Sequence, residues 1–246
     1  MPRMQSLWML VAAALFALMG LCVKLAGGLY SVPEIVLYRC ALGAAGLFLF
    51  VRVRRRSLAT PHAAMHLRRG VVGTASLTLW FYATTVMPLG TAMTLNYTSP
   101  LFLAAFTVGA ALAAGQRVDW RLAAAVGLGF VGVVLALRPS MQEGQALAAL
   151  GGLASGVLSA VAYWHVRELG RLHEPEWRTV FYFSLAGAVL GLAGTLFTGL
   201  AAHSPRGLLL LFGVAVFATT AQLAMTRAFG KGSTLLAAAL QYSAIV

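Results

Sequence analysis

The sequence predicts an all-α integral membrane protein with many membrane-spanning helices. Of its 246 residues, 60% are hydrophobic and only 10% are charged, and the mean hydropathy is +0.84. Soluble domains carry about 25% charged residues, so a water-soluble fold would be unable to cover this much apolar surface. The apolar residues also fall into runs of about 20 residues, the length of helix that crosses a bilayer.

Nine apolar runs, each bounded by charge, glycine or proline, define the predicted spans. They cover residues 7–26, 33–51, 70–87, 91–114, 122–137, 147–166, 180–202, 207–226 and 233–246. The fifth run has only 16 residues and extends readily into its flanks, and the ninth has 14 because the sequence ends there.

The distribution of positive charge predicts the orientation of these spans. With the N-terminus inside, 14 of the 18 Lys and Arg residues fall on the cytoplasmic side and only Arg138 and Arg206 fall outside, while Lys24 and Arg39 lie within spans. Positive residues accumulate in cytoplasmic loops, so the protein is expected to be multi-pass with a cytoplasmic N-terminus. The cytoplasmic set is Arg3, Arg52, Arg54, Arg55, Arg56, Arg68, Arg69, Arg117, Arg121, Arg167, Arg171, Arg178, Arg227 and Lys231.

A weak internal repeat appears when the chain is shifted by 145 residues. Span 2 then aligns with span 7, span 3 with span 8 and span 4 with span 9. Four identities result, pairing Ala83, Ala92, Leu95 and Tyr97 with Ala228, Ala237, Leu240 and Tyr242, and Asn96 meets Gln241. Because five spans per half is an odd number, the second half must insert upside down. We therefore expect repeats at 1–137 and 145–246, with a tenth span beyond Val246.

Composition and motifs exclude several functional classes. The net charge of +12 suggests nucleic acid, but the basic residues lie between apolar runs rather than on one solvated surface, so no nucleic acid is expected. Cys22 and Cys40 both lie in apolar segments, which argues against a disulfide framework or a metal site. No P-loop, H-E-x-x-H or G-x-S-x-G motif occurs. No cofactor and no direct use of ATP are predicted.

Ionisable side chains inside spans are candidate site residues, because a charge at a bilayer centre costs roughly 2.5–3.5 kcal/mol. Arg39 lies about 10 Å into span 2 at a rise of 1.5 Å per residue. In a functional role, its charge would meet an anionic or zwitterionic substrate or would pair with a mobile carboxylate. In a structural role, it would bond to backbone carbonyls of a neighbouring helix. Glu34 and Tyr38 share a face of the same helix. Glu34 is either a proton-coupling carboxylate or a favourable charge at the helix N-terminus.

Other candidates come from the ends and faces of spans 1 and 3. Lys24 lies near the outer end of span 1, where its side chain either reaches the lipid headgroups or faces a cavity. Trp80 and Tyr82 in span 3 are candidates for an aromatic wall around an organic substrate.

Span 4 carries a polar and aromatic face. Met93, Asn96, Tyr97 and Pro100 recur at intervals of three and four residues. A proline inside a span frees a backbone carbonyl, which is tolerated where neighbours, water or a cavity satisfy it. Asn96 and Tyr97 are therefore predicted to line a cavity, with Gln241 and Tyr242 of span 9 forming the matching wall. The alternative is hydrogen bonding between packed helices.

These segments resemble the EamA branch of the drug/metabolite transporter superfamily. The resemblance rests on Phe16-Ala17-Leu18-Met19 through Lys24, on Pro33-Glu34 to Tyr38-Arg39, on Met87-Pro88-Leu89-Gly90 and Asn96-Tyr97-Thr98-Ser99-Pro100, and on Arg227-Ala228-Phe229 through Leu240-Gln241-Tyr242-Ser243. It implies an inverted repeat of two five-helix units, a ten-helix fold of which nine helices are visible here and the last is truncated. It also implies a substrate cavity between the repeats and alternating access.

The functional prediction is thus a secondary transporter of a small metabolite or drug-like solute in the cell membrane, rather than an enzyme. Its expected partners are the small-molecule substrate and the lipid bilayer, and the oligomeric state stays open with a homodimer as one alternative. An intramembrane enzyme acting on lipid or prenyl carriers would need clustered carboxylates or histidines at one membrane face, and the sequence shows no such cluster. A non-transporting membrane scaffold is the third alternative.

Overall fold

The structure is a computed structural model that describes residues 2–118, 120–140 and 142–245, and in these ranges every regular element is a helix. Met1 and Val246, the outer limits of the two predicted repeats, lie outside the described residues. The elements are α1 Pro2–Ser6, α2 Trp8–Ala26, α3 Val32–Val53, α4 Ala63–Val86, α5 Leu89–Asn96, α6 Ser99–Ala113, α7 Trp120–Leu137, α8 Ala146–Arg171, α9 Glu176–Thr198, α10 Pro205–Lys231, α11 Thr234–Leu240 and a 3₁₀ helix at Gln241–Ile245.

Helices occupy all nine predicted spans. Six segments of the described chain are long and apolar enough to cross a membrane: Met4–Ala26, Val32–Val53, Leu89–Ala113, Ala146–Arg171, Glu176–Thr198 and Pro205–Lys231. The other three predicted spans correspond to α4, α7 and α11 with its 3₁₀ extension. The structure therefore fits the predicted all-α membrane protein.

Two spans differ from the sequence prediction. Span 3 begins at Ala63 rather than at residue 70, because Arg68 and Arg69 belong to the helix although their charges suggested a loop. Span 4 is two helices, since α5 ends at Asn96 and α6 begins at Ser99. Pro100 lies in the first turn of α6, where its missing N–H breaks no helical hydrogen bond. The proline in span 4 therefore follows a break between two helices and does not lie inside one continuous helix.

The two halves of the chain pack against each other along their length. The most extensive contacts join α3 to α9, α2 to α10 and α4 to α8. Glycines on α9 allow close approach to α3, because a Cβ on Gly191 would lie 2.6 Å from the backbone nitrogen of Leu37. Small residues are the usual means by which helices approach closely inside membranes.

Helix boundaries in the two halves fall 145 residues apart. The helix ends are Ala26 and Arg171, Val53 and Thr198, and Val86 and Lys231, and the matching helix starts are Leu89 and Thr234. The break after Asn96 also has a counterpart, because α11 gives way to the 3₁₀ helix at Gln241. The offset is the one at which the sequence shows its weak internal similarity.

The loops 54–62 and 172–175 meet at one end of the bundle, which we call the basic end because it carries Arg54, Arg55 and Arg56. Glu174 joins the two loops there. Its carboxylate accepts hydrogen bonds from the Thr60 hydroxyl and from Arg178 Nη1, the latter at 2.9 Å. Burial alone would raise the pKa of Glu174, but these hydrogen bonds and the charge of Arg178 outweigh it and hold the pKa below its usual value.

Acidification is expected to remove this contribution to stability. A carboxyl group whose pKa is lowered by folding stabilises the protein above its unfolded-state pKa, and that stability disappears as the pH falls through the folded-state pKa. The midpoint of thermal unfolding in detergent should therefore fall more for the wild type than for Glu174→Gln between pH 7 and about pH 3.5. The exposed Glu143 provides the control, because Glu143→Gln should follow the wild type. An identical pH dependence in wild type and Glu174→Gln would contradict this assignment.

Candidate functional site

A cavity with about 80 Å³ of internal space, partly open to solvent, lies between the helices of the bundle. Its walls come from both halves of the chain: α2, α4 and α5 on one side, and α8, α9, α10 and the 3₁₀ helix on the other. Pockets for small organic molecules range from about 300 to 1,000 Å³. In this conformation the cavity is therefore smaller than a typical pocket for a small organic molecule.

One wall of the cavity is polar and neutral. The hydroxyls of Ser76 on α4 and Ser159 on α8 lie 2.7 Å apart, and the Asn96 amide donates to the Ser155 hydroxyl at 3.0 Å. These bonds link α4, α5 and α8 across the cavity. The Asn96 side chain is available for this contact because α5 ends at that residue.

The break in the ninth span contributes the facing wall. The Gln241 amide donates to the Tyr163 hydroxyl at 3.5 Å, which joins the 3₁₀ helix to α8. Next to it, the rings of Tyr97 and Tyr242 meet edge to face with centroids 6.2 Å apart. The ends of α5 and α11 therefore both lie at the cavity.

Four of the predicted site residues line the cavity: Trp80, Asn96, Tyr97 and Gln241. The Trp80 indole N–H is buried and has no hydrogen-bond partner in the described part of the chain. Tyr242 lies one layer behind, where its ring packs against Gly129 of α7.

The other predicted residues lie away from the cavity lining. Lys24 donates to the backbone carbonyls of Met87 at 2.7 Å and Thr85 at 3.3 Å, so it caps the C-terminal end of α4. Tyr82 faces Gly151 and the start of α8. The Lys24 contact joins α2 to α4 within the first half, whereas the Tyr82 contact joins α4 to α8 of the second half.

Glu34 and Tyr38 form a separate cluster at the end of the bundle opposite the basic end. The Glu34 carboxylate is fully buried and accepts the backbone N–H of Ala201 at 3.2 Å. His203 Nε2 lies 3.5 Å from Glu34 Oε1, and the Tyr38 ring meets the His203 ring at 5.3 Å. Glu34 thus anchors the loop between α9 and α10, and its predicted role in proton coupling stays a prediction.

Arg39 lies just outside the cavity lining and is 2% exposed. Its guanidinium lies over the Phe183 ring, 5.0 Å from the centroid, and its Nη1 points to the Cys40 sulfur at 3.2 Å. Phe183 itself lines the cavity, so Arg39 is separated from that space by one aromatic ring.

The residue that sequence reasoning missed is Arg69. It was assigned to a cytoplasmic loop, but it lies about 9 Å into α4 and lines the cavity. Its guanidinium lies 4.3 Å from the centroid of the Phe183 ring, on which Arg39 also packs. Gly73 is one turn further along α4, and any Cβ at that position would overlap Arg69 Nη1. An arginine followed four residues later by glycine was the sequence signal that could have identified it.

The lining contains one cation and no acidic residue, and no group of three potential metal ligands occurs in the described ranges. The remaining lining is aromatic, aliphatic or neutral and polar. This arrangement can bind an organic molecule, and it offers no carboxylate or histidine for acid–base chemistry.

Comparison with known proteins identifies the family. The model of the EamA-like transporter family matches residues 3–138. The pseudopaline exporter CntI of Pseudomonas aeruginosa is 31% identical over 242 residues, which covers 96% of this chain and 82% of that protein. The riboflavin transporter of Rhizobium johnstonii is 28% identical over 189 residues, covering 76% of this chain and 61% of that protein.

A solved crystal structure has the same fold, with a TM-score of 0.80 and 20% sequence identity over 100% of this chain and 87% of that one. At this identity the likeness concerns the fold alone. The family match and the named relatives show that the chain is a transporter with a small-molecule substrate and not an enzyme, so the intramembrane enzyme alternative is excluded. The protein belongs to the EamA-like transporter family.

Proposed function

We propose that this protein is a secondary transporter that moves a small organic metabolite across the cell membrane by alternating access. The observation that carries the proposal is the central cavity, which is lined by helices from both halves of the chain. A site between two halves becomes accessible from either side of the membrane when the halves rock against each other.

The proposal includes an inverted repeat of two five-helix units, which would provide the two halves for this mechanism. The matching helix boundaries 145 residues apart support such a repeat, as does the reciprocal packing of α2 on α10 and of α4 on α8. The 145-residue offset makes α8 the equivalent of α2 and α10 the equivalent of α4. Exchanging the two halves therefore converts the contact of α2 with α10 into the contact of α8 with α4. We extend the proposal to the orientation, with the basic end in the cytoplasm as the positive charges predict.

The cavity is expected to be the route of transport, and filling it should stop flux. Ala162 lines the cavity and is 2% exposed, so Ala162→Trp should place an indole ring in that space. The measurement is flux of a metabolite panel in proteoliposomes, with pseudopaline and riboflavin included because relatives are named for them. We expect Ala162→Trp to lower flux at least about tenfold, since a filled site has no room for substrate.

The matched control is Ala45→Trp, the same substitution at an exposed position of α3. It should leave flux close to that of the wild type. Absence of flux for every compound above empty vesicles would overturn the proposed function. Equal flux in Ala162→Trp and Ala45→Trp would place the transport route elsewhere.

A further inference from the structure

The cavity contains a buried positive charge without an opposite charge. Arg69 is 2% exposed, and its one hydrogen bond in the described structure runs from Nη2 to the Gln222 amide oxygen at 3.3 Å. Its Nε and Nη1 have no partner in the same part of the chain. A buried charge is costly unless it is paired and hydrogen-bonded, and inside a membrane such a residue marks a functional site.

A second buried arginine strengthens the positive field at this position. Arg39 and Arg69 both lie over the Phe183 ring, at 5.0 and 4.3 Å from its centroid. Neither guanidinium forms an ion pair with any carboxylate in the described ranges. Two like charges held on one ring at low dielectric repel each other, so an anion that binds between the helices relieves both the repulsion and the missing hydrogen bonds.

The rest of the lining indicates what the anion carries. Phe16, Trp80, Tyr97 and Tyr163 supply aromatic surface around the same space as Arg69. Aromatic walls favour an apolar or aromatic body, whereas an inorganic anion would have no use for them. A single guanidinium in direct contact matches one anionic group such as a carboxylate, which it can bind through two parallel hydrogen bonds.

We propose that the cavity selects organic anions, and that Arg69 binds the carboxylate of the substrate while the aromatic walls hold its body. The proposal rests on the transport function proposed above and names its substrate class. Arg39 acts through Phe183 by raising the positive potential, and Gln222 holds the Arg69 guanidinium toward the cavity.

Binding of matched acids and amides tests this proposal without requiring flux. The probes are aromatic monocarboxylates, such as indole-3-acetate and benzoate, and their uncharged primary amides, and binding to the purified full chain is measured by thermal stabilisation in detergent. The acids should bind at least about tenfold more tightly than the amides, because a hydrogen bond to a charged group is strengthened by that charge. Equal binding of acids and amides, or binding of neither, would overturn the proposal.

Two substitutions on the same helix assign the effect to Arg69. Arg69→Gln should abolish the preference for acids, and Arg69→Lys should keep part of it because the charge remains. Arg68→Gln removes the same charge from an exposed neighbour and should preserve the preference. If Arg68→Gln and Arg69→Gln lose the preference for acids equally, the general positive charge of the protein explains that preference and the Arg69 site is refuted.

Flux measurements separate this proposal from the function on which it depends. Binding of the acids together with no flux of any compound in the panel would overturn the transport proposal and leave the anion site standing. If neutral compounds are transported and their rates are unchanged in Arg69→Gln, the anion site is overturned and the transport proposal stands. Transport would then be independent of Arg69.

Discussion

Gly73→Ala is expected to lower transport about tenfold while the bundle still folds. A Cβ at this position would overlap Arg69 Nη1 and would lie 3.0 Å from the Phe183 ring. The guanidinium is the mobile end of a flexible side chain, so it can move aside at little cost in stability. Its displacement removes the cation from the cavity wall. Initial rates of flux in proteoliposomes measure the effect, and the midpoint of thermal unfolding reports on the fold.

A double-mutant cycle ties this effect to Arg69. In an Arg69→Gln background, Gly73→Ala should have little further effect on flux, because the side chain that it displaces is already gone. Gly46→Ala is the matched control, since nothing lies within 4 Å of a Cβ at that position. Additive losses in the cycle would show that Gly73 acts through helix packing and not through the guanidinium.

Gly191→Leu is expected to cause a large loss of stability. A Cβ on Gly191 would lie 2.6 Å from the nitrogen and 2.8 Å from the Cα of Leu37. These are backbone atoms of α3, so α3 and α9 would have to separate along their whole interface. Overpacking costs about 1–3 kcal/mol, and at the upper end of that range the midpoint of thermal unfolding should fall on the order of 10 °C.

Gly46→Leu gives the comparison for that loss. Gly46 lies in α3 and, like Gly191, is a glycine inside a helix. It is exposed, and a Cβ added to it would have no neighbour within 4 Å. A leucine there replaces glycine in a helix on an apolar surface, which should be neutral or slightly stabilising. If Gly191→Leu and Gly46→Leu unfold at the same temperature, the close contact between α3 and α9 contributes nothing to stability.

The positions of the apolar helices were predictable from the sequence because the bilayer requires apolar runs of a fixed length, although span 4 is divided into two helices. Helix ends were less predictable where charge occurs inside a helix. Arg68 and Arg69 set the start of the predicted span 3 at residue 70, yet α4 begins seven residues earlier at Ala63. Hydropathy cannot separate an arginine that faces the headgroups from one that faces a polar cavity, because that difference depends on neighbouring helices.

The predicted site residues illustrate the same limit. Asn96 and Gln241 were predicted from helical periodicity and from the repeat, and the structure places both at the cavity. Lys24 and Glu34 were predicted because they are ionisable residues near the ends of spans, and they bond to backbone groups of other segments. Depth follows from the sequence, but the direction of a side chain depends on which helix packs beside it.

The network around Glu174 has a consequence for motion. The side chains of Arg178 and Tyr182 at the start of α9 donate to the carbonyls of Ser57 and Leu58, each at 2.8 Å, and the hydroxyl of Thr60 donates to Glu174. The loop between α3 and α4 is therefore tied to a helix of the other half at the basic end. Any rearrangement that widens this end must either carry loop and helix together as one rigid body or first break these hydrogen bonds.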